Sequence, residues 1–272
     1  MPWPTARKYL NILRISLIER MTYRGDFLLG TILRFLPLIT TILLWQAIYD
    51  GSGKTELSGF RYNEMIAYLL LVHISRMFSS MPGLSGGIAR DIRDGNLKKY
   101  LLQPIDMLGY LLSYRLAHKT AYICTSCWPY AVLFLIFHDY FDRWPDALTF
   151  AGYVASLLLA FLVGFFFEAS MGLVGFWILE VTSLLYIVNT ITFFLSGQLF
   201  PLDLMPPFWA SLFKALPFQY LAYFPAAVFL GKVEGWSLVH GLAMQLLWCI
   251  ALVALSRWLY HRGLRRYSAF GG

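Results

Sequence analysis

Residues able to do covalent chemistry are few and scattered. Cys124 and Cys127 form a C-x-x-C pair, and Cys249 stands apart. Such a pair can exchange thiol for disulfide or supply half of a zinc site. Here it sits inside the apolar run Ala121–Phe137 with no second ligand pair. Residues i and i+3 share a helical face, so small lipid- or core-facing side chains are the simpler reading. His73, His118, His138, His240 and His261 fall at different depths of the chain, and no HExxH, nucleophile elbow or paired intramembrane carboxylate occurs. Gly51-Ser52-Gly53-Lys54-Thr55 looks like the end of a phosphate-binding loop. The full pattern needs Gly where Ile48 stands, a strand before it and a soluble α/β domain around it. We expect no cofactor, metal or ATP on this chain.

Charge inside apolar sequence is the other chemically loaded feature. Arg34, Arg76, Glu168 and Glu180 lie within or at the ends of long apolar runs. Charge in lipid is costly, so such residues pair or line a wet cavity. One use is a gate or substrate contact. The other is structural pairing, or snorkelling to the cytoplasmic interface.

The elements that must position these residues follow from composition. The chain has 272 residues, 58% hydrophobic and 14% charged. A soluble domain carries about 25% charged residues, so the outer surface here must face lipid. The net charge of +7 does not mark a nucleic-acid binder, because the basic residues flank apolar runs instead of covering a soluble domain.

A span needs about 20 apolar residues. Six runs qualify: Phe27–Tyr49, Met65–Met81, Leu116–Phe137, Leu148–Phe167, Phe176–Ser196 and Leu238–Tyr260. With the N-terminus inside, cytoplasmic segments hold 15 of the 22 Lys and Arg. These form three clusters, around Arg7–Arg24, Arg90–Lys119 and Arg257–Arg266. Only Lys54, Arg61, Arg143, Lys214 and Lys232 fall outside. That asymmetry puts both termini in the cytoplasm, whereas five or seven spans would put the last cluster outside. No cleavable leader is expected, and the first apolar run serves as signal and anchor. Before it, residues 3–24 read as an amphipathic helix with Leu10, Leu13, Leu17 and Met21 on one side and Arg7, Lys8, Asn11 and Arg14 largely on the other. It suits the membrane interface, or packing on the rest of the protein.

Two segments between spans are more than connectors. The cytoplasmic one, 82–115, holds a short charged helix stopped by Gly95, then a helical turn stopped before Pro104. Its mixture of Arg90, Asp91, Arg93, Asp94 and Lys98 with Ile92, Leu97, Tyr100, Leu101 and Leu102 suits docking on another protein, or lying on the inner leaflet. The external one, 197–237, is apolar but broken by Pro201, Pro206, Pro207, Pro217 and Pro225 into helices too short to span. Trp209, Tyr220, Tyr223 and Trp236 suit an interface.

These two segments resemble ABC-2 type transporter permeases, transmembrane subunits of ABC exporters. Arg90, Asp91, Gly95, Leu97, Leu101, Leu102 and Pro104 follow the charged–Gly–Leu-rich–Pro pattern of that family's coupling region, with Asp91 and Asp94 where Glu is usual. Gly197, Pro201, Pro206, Pro217 and Tyr220 follow its external re-entrant stretch. The resemblance covers nearly the whole chain. It implies one all-α integral membrane domain over 1–272, with six transmembrane helices, an N-terminal interfacial helix, a cytoplasmic coupling helix and external re-entrant helices. It also implies two ABC ATPase subunits carrying ATP and Mg, and a second permease, of the same chain or a related one as in the branch with paired permeases. The setting it implies is the bacterial cytoplasmic (inner) membrane. The cargo would move outward and be amphipathic or lipidic, as phenylalanines such as Phe35, Phe165, Phe166, Phe193 and Phe194 would suit. A membrane-embedded enzyme, a scaffold subunit or a channel is the alternative, but it asks for a reactive cluster or a polar stripe that the spans do not offer.

Overall fold

The computed structural model describes residues 3–22, 24–178 and 180–267. The described residues are almost wholly helical. In chain order they form α1 (Trp3–Thr22), α2 (Arg24–Ser52), a hairpin of β1 (Glu56–Leu57) and β2 (Phe60–Arg61), α3 (Tyr62–Ser79), α4 (Leu84–Arg93), α5 (Lys98–Leu101) and α6 (Met107–Ile136). Then come α7 (Ala147–Leu173), α8 (Thr182–Leu195), α9 (Pro207–Ala215), α10 (Tyr223–Phe229) and α11 (Gly235–Leu264). Two compact units result, Met1–Pro37 with Gly95–His138 and Leu38–Asp94 with Asp139–Gly272. Helix α2 passes from one to the other at Pro37.

In the first unit α1 lies along α6. Lys8 Nζ donates to the Pro104 carbonyl at 3.4 Å, and the Asp106 N–H donates to Tyr9 Oη at 3.4 Å. The side of α1 turned inward carries Tyr9, Leu13 and Ser16, while Leu10 is 62% exposed. Of the expected apolar side, Leu13 and Leu17 are part-buried and Leu10 is not. The side chain of Met21 lies outside the described residues. Helix α6 starts at Met107, where the Asp106 carboxylate caps it by accepting from Gly109 N at 2.7 Å. Residues 107–115 at the end of the expected 82–115 segment are thus the first turns of a long helix.

The second unit is built around α7, against which α3, α4, α10 and α11 pack. Glycines permit this. A Cβ at Gly164 would collide with the Ser79 carbonyl, and one at Gly172 would lie 2.6 Å from the Ser85 carbonyl. Close backbone approach through small residues is how helices pack in lipid. Gln245 Nε2 donates to the Ser156 carbonyl at 2.9 Å, joining α11 to α7.

Three stretches among the described residues are long and apolar enough to cross a membrane: Tyr62–Arg93, Ala147–Phe176 and Gly235–Leu264. Helices α2 and α6, at 29 and 30 residues, each rise about 45 Å, more than the ~30 Å hydrocarbon core. The expected span Phe176–Ser196 is α-helical only from Thr182 on. Its helix is α8, only 14 residues, or about 21 Å. Phe176 is wedged against Gly263 of α11, so it stays with the end of α7 instead of opening α8.

The Gly51–Thr55 stretch closes α2, which runs to Ser52. Gly53 has φ +62°, and its N–H caps the helix on the Tyr49 carbonyl at 3.2 Å.

Between α8 and α11 the chain runs down α3 and back. Tyr68 Oη donates to the Gly197 carbonyl at 2.6 Å, Ser79 Oγ to the Leu221 carbonyl at 2.7 Å, and Lys232 Nζ to Glu64 Oε1 at 3.0 Å. Glu64 and Ser79 sit about 22 Å apart along α3 by helix rise. Pro206 and Pro207 open α9, and Pro217 opens a 3₁₀ turn over Pro217–Leu221, as prolines at first helical positions do.

Candidate functional site

Two places in the second unit bring the singled-out residues together. The first is α4. Gly83, at φ +72°, breaks the chain after α3, and α4 then lays Leu84, Ser85, Ile88, Ala89 and Ile92 into the unit. Arg90 and Arg93, with Asp94 at the cap, are exposed on the other side, and Asp91 is intermediate. Arg93 Nε donates to Asp94 Oδ1 at 3.0 Å, and Arg93 Nη1 lies 3.9 Å from Glu180 Oε2. Glu180 sits before α8, where it accepts from the Thr182 N–H at 2.9 Å. Hydrogen bonding from Thr182, with Arg93 adding to it, holds the Glu180 carboxyl below its usual range. A cleft of about 220 Å³ separates α4 from the start of α8, between Arg90, Arg93, Glu180 and Thr182.

Gly95, Leu97, Lys98 and Tyr100 belong to the first unit. Gly95 takes φ +73°, ending the α4 helix as its type requires. Leu97 and Tyr100 are buried and Lys98 is exposed. The Tyr100 ring lies 5.5 Å from that of Tyr110. The eight coupling candidates thus repeat one pattern in both units: apolar side chains inward, charged ones outward.

The second place is a cavity of about 190 Å³ lined by Arg76, Glu168, Thr192 and Gln198 among others. Arg76 Nη1 donates to Ser79 Oγ at 3.1 Å, and Glu168 acts on the same guanidinium through space. So two of the four intramembrane charges line one cavity. Glu180 pairs elsewhere, and the Arg34 side chain lies outside the described residues. Sequence reading missed Ser79, Thr192 and Gln198, because ordinary polar residues signal nothing until the fold gathers them.

Of the re-entrant candidates, Gly197, with φ +77°, and Tyr220 are buried. Pro201 precedes a 3₁₀ turn, Pro206 caps α9, and Pro217 is buried at the turn reaching Ser79. Tyr220 and Tyr223 are interior, not interfacial. Tyr223 Oη donates to Asp203 Oδ2 at 2.7 Å, and burial followed by the Asp203 charge pushes its phenol up. Trp209 and Trp236 are exposed, at 48% and 82%. Phe165 and Phe166 are buried packing residues, and Phe193 and Phe194 are exposed. No group of His, Cys, Asp and Glu able to hold a metal occurs among the described residues.

A sequence model of the ABC-2 family transporter proteins matches residues 35–271. The chain belongs to the ABC-2 transporter family. No curated protein matched it. As an ABC-2 permease it is a membrane protein with a role in transport, a transport subunit and not an enzyme. ABC-2 permeases generally work with ABC ATPase partners.

Proposed function

We propose that this chain is the transmembrane permease subunit of an ATP-driven exporter that moves an amphipathic or lipidic substrate outward across the bacterial cytoplasmic membrane. Six spans, α2, α3, α6, α7, α11 and the short α8, whose mismatch local thinning of the bilayer takes up, leave both termini in the cytoplasm. Two separate ATPases carry ATP and Mg, and a second permease, of the same chain or a related one, completes the membrane assembly.

One observation carries the reading: the division of α4 into a buried apolar side on α7 and an exposed side bearing Arg90, Arg93 and Asp94. An ATPase subunit grips the exposed side of α4. Closure of the ATPases pushes on α4, and α7 takes up the push because Ser85 and Ile88 sit directly on Gly172. The Arg93–Glu180 contact carries the same displacement to α8. The segment Gly197–Ser237 closes the outward end of the path.

The test reverses charge at Arg90, Arg93 and Asp94 together in the native complex. Co-purification of the ATPase should fall, or its hydrolysis should uncouple from transport. Unchanged assembly and transport in that variant would sink the docking assignment.

A further inference from the structure

The cavity between α3, α7 and α8 gathers polar groups of both charge signs. Its wall carries a guanidinium (Arg76), a carboxylate (Glu168), two amides (Asn189, Gln198) and three hydroxyls (Ser79, Ser80, Thr192). Thr192 is 5% exposed, and its Oγ1 has no hydrogen-bond partner among the described residues. An orphaned buried hydroxyl costs about 1–3 kcal/mol, so the site is built for a group that is not protein. Arg76 makes its one hydrogen bond to Ser79 Oγ. The rest of its planar fork of donors, suited to a two-oxygen anion, has no acceptor among the described residues. The volume of about 190 Å³ equals roughly six waters at ~30 Å³ each, which fits a small headgroup and no more. Asn189, exposed on α8, marks where the cavity opens sideways, so an acyl chain can stay outside in lipid.

Charge decides the ligand class. A bare anion on Arg76 would meet the Glu168 carboxylate, and a bare cation at Glu168 would meet the guanidinium. We propose that this cavity receives the zwitterionic headgroup of an amphiphile, with its anionic oxygens on Arg76 and Thr192 and its cationic group towards Glu168. The inference rests on the transport reading above and names the cargo class for it. The Leu221 carbonyl at the tip of the returning segment also lines the wall and is held by Ser79, so occupancy is felt where that segment turns.

The test uses the full-length chain purified in dodecyl maltoside. Three probes with the same dodecyl chain are added at rising mole fraction: the phosphocholine (zwitterionic), the phosphate (anionic) and the trimethylammonium (cationic). Thermal stabilisation is read for each. Wild type should half-saturate with the phosphocholine at a mole fraction about tenfold lower than with either other probe. Glu168→Gln should transfer that preference to the phosphate, and Arg76→Gln to the trimethylammonium. Thr192→Val should weaken the phosphocholine about fivefold. Equal half-saturation by all three probes in wild type overturns the proposal, as does unchanged selectivity in the charge variants. Should the variants fail to extract, the wild-type ranking decides alone. ATPase co-purification is scored on the same preparations. Selectivity without an ATPase keeps the site and overturns the transport reading, and an ATPase without selectivity does the reverse.

Discussion

At the residue scale, close approach and single hydrogen bonds do most of the specifying. Gly172 has Ser85 and Ile88 of α4 where a Cβ would stand. Gly172→Val should cost about 1–3 kcal/mol by overpacking, read as a lower melting midpoint in detergent, whereas Gly86→Ala, which meets open space, should leave it unchanged. Tyr68 is fully buried, with its hydroxyl on the Gly197 carbonyl. Tyr68→Phe should cost about 1 kcal/mol and leave the carbonyl unsatisfied, seen as faster amide exchange around Gly197. Asp146 begins α7 by accepting from Thr149 N at 3.3 Å. Hydrogen bonding from Thr149 holds its carboxyl below the usual range. A lowered folded-state pKa stabilises above the ordinary carboxylate range and ceases to do so as pH falls through the lowered value. Between pH 6 and 3, Asp146→Asn should lose this part of the acid sensitivity of the melting midpoint, and a curve identical to wild type would refute the cap's role. The identity of these residues was visible in the sequence. The partners of Gly172 and Tyr68 were not, because those contacts join positions dozens of residues apart, whereas the Asp146 cap is local.

At the scale of elements, α4 is the piece on which the transport reading turns. Its inward side is anchored by Ile88 and Ile92, at 2% and 7% exposure. Ile88→Ala should cost about 2–5 kcal/mol and loosen the hold of α4 on α7. Measured in the intact complex, ATP hydrolysis should then persist while transport falls, separating the anchor from the docking side, where loss of Arg90 and Arg93 should weaken ATPase binding itself. The alternation of apolar and charged residues from Ile88 to Leu102 was enough to mark this segment, and Gly95 and Pro104 to punctuate it. The helix that follows was not marked in full, because α6 begins at Met107, nine residues before the apolar run at Leu116. Hydropathy reports the part of a helix that faces lipid, not the part that projects beyond it. The same reason, reversed, shortens the run Phe176–Ser196, where apolar residues continue through a non-helical stretch that is held by packing of Phe176.

At the scale of the whole molecule, topology is the open quantity with a clear expectation. Single cysteines placed at either end of the described chain, near Arg7 and near Arg266, should both react with a membrane-permeant thiol reagent and both resist an impermeant one applied from outside. Opposite labelling would exclude an even number of spans. The membrane setting, the basic clusters at Arg90–Lys119 and Arg257–Arg266, and the proline breaks from Pro201 to Pro225 were all determined by sequence alone. They follow from composition and order, and the solvation of each segment depends on little else. Tertiary structure alone decided that Arg76 and Glu168, with 91 positions between them, share a wall with Thr192 and Gln198. It also decided that Glu180 turns away to Arg93, and that Tyr220 and Tyr223 face inward. Which charges share a cavity is settled by the glycines that let α3 and α4 close on α7, and no local pattern encodes which helix will occupy the space a missing side chain leaves.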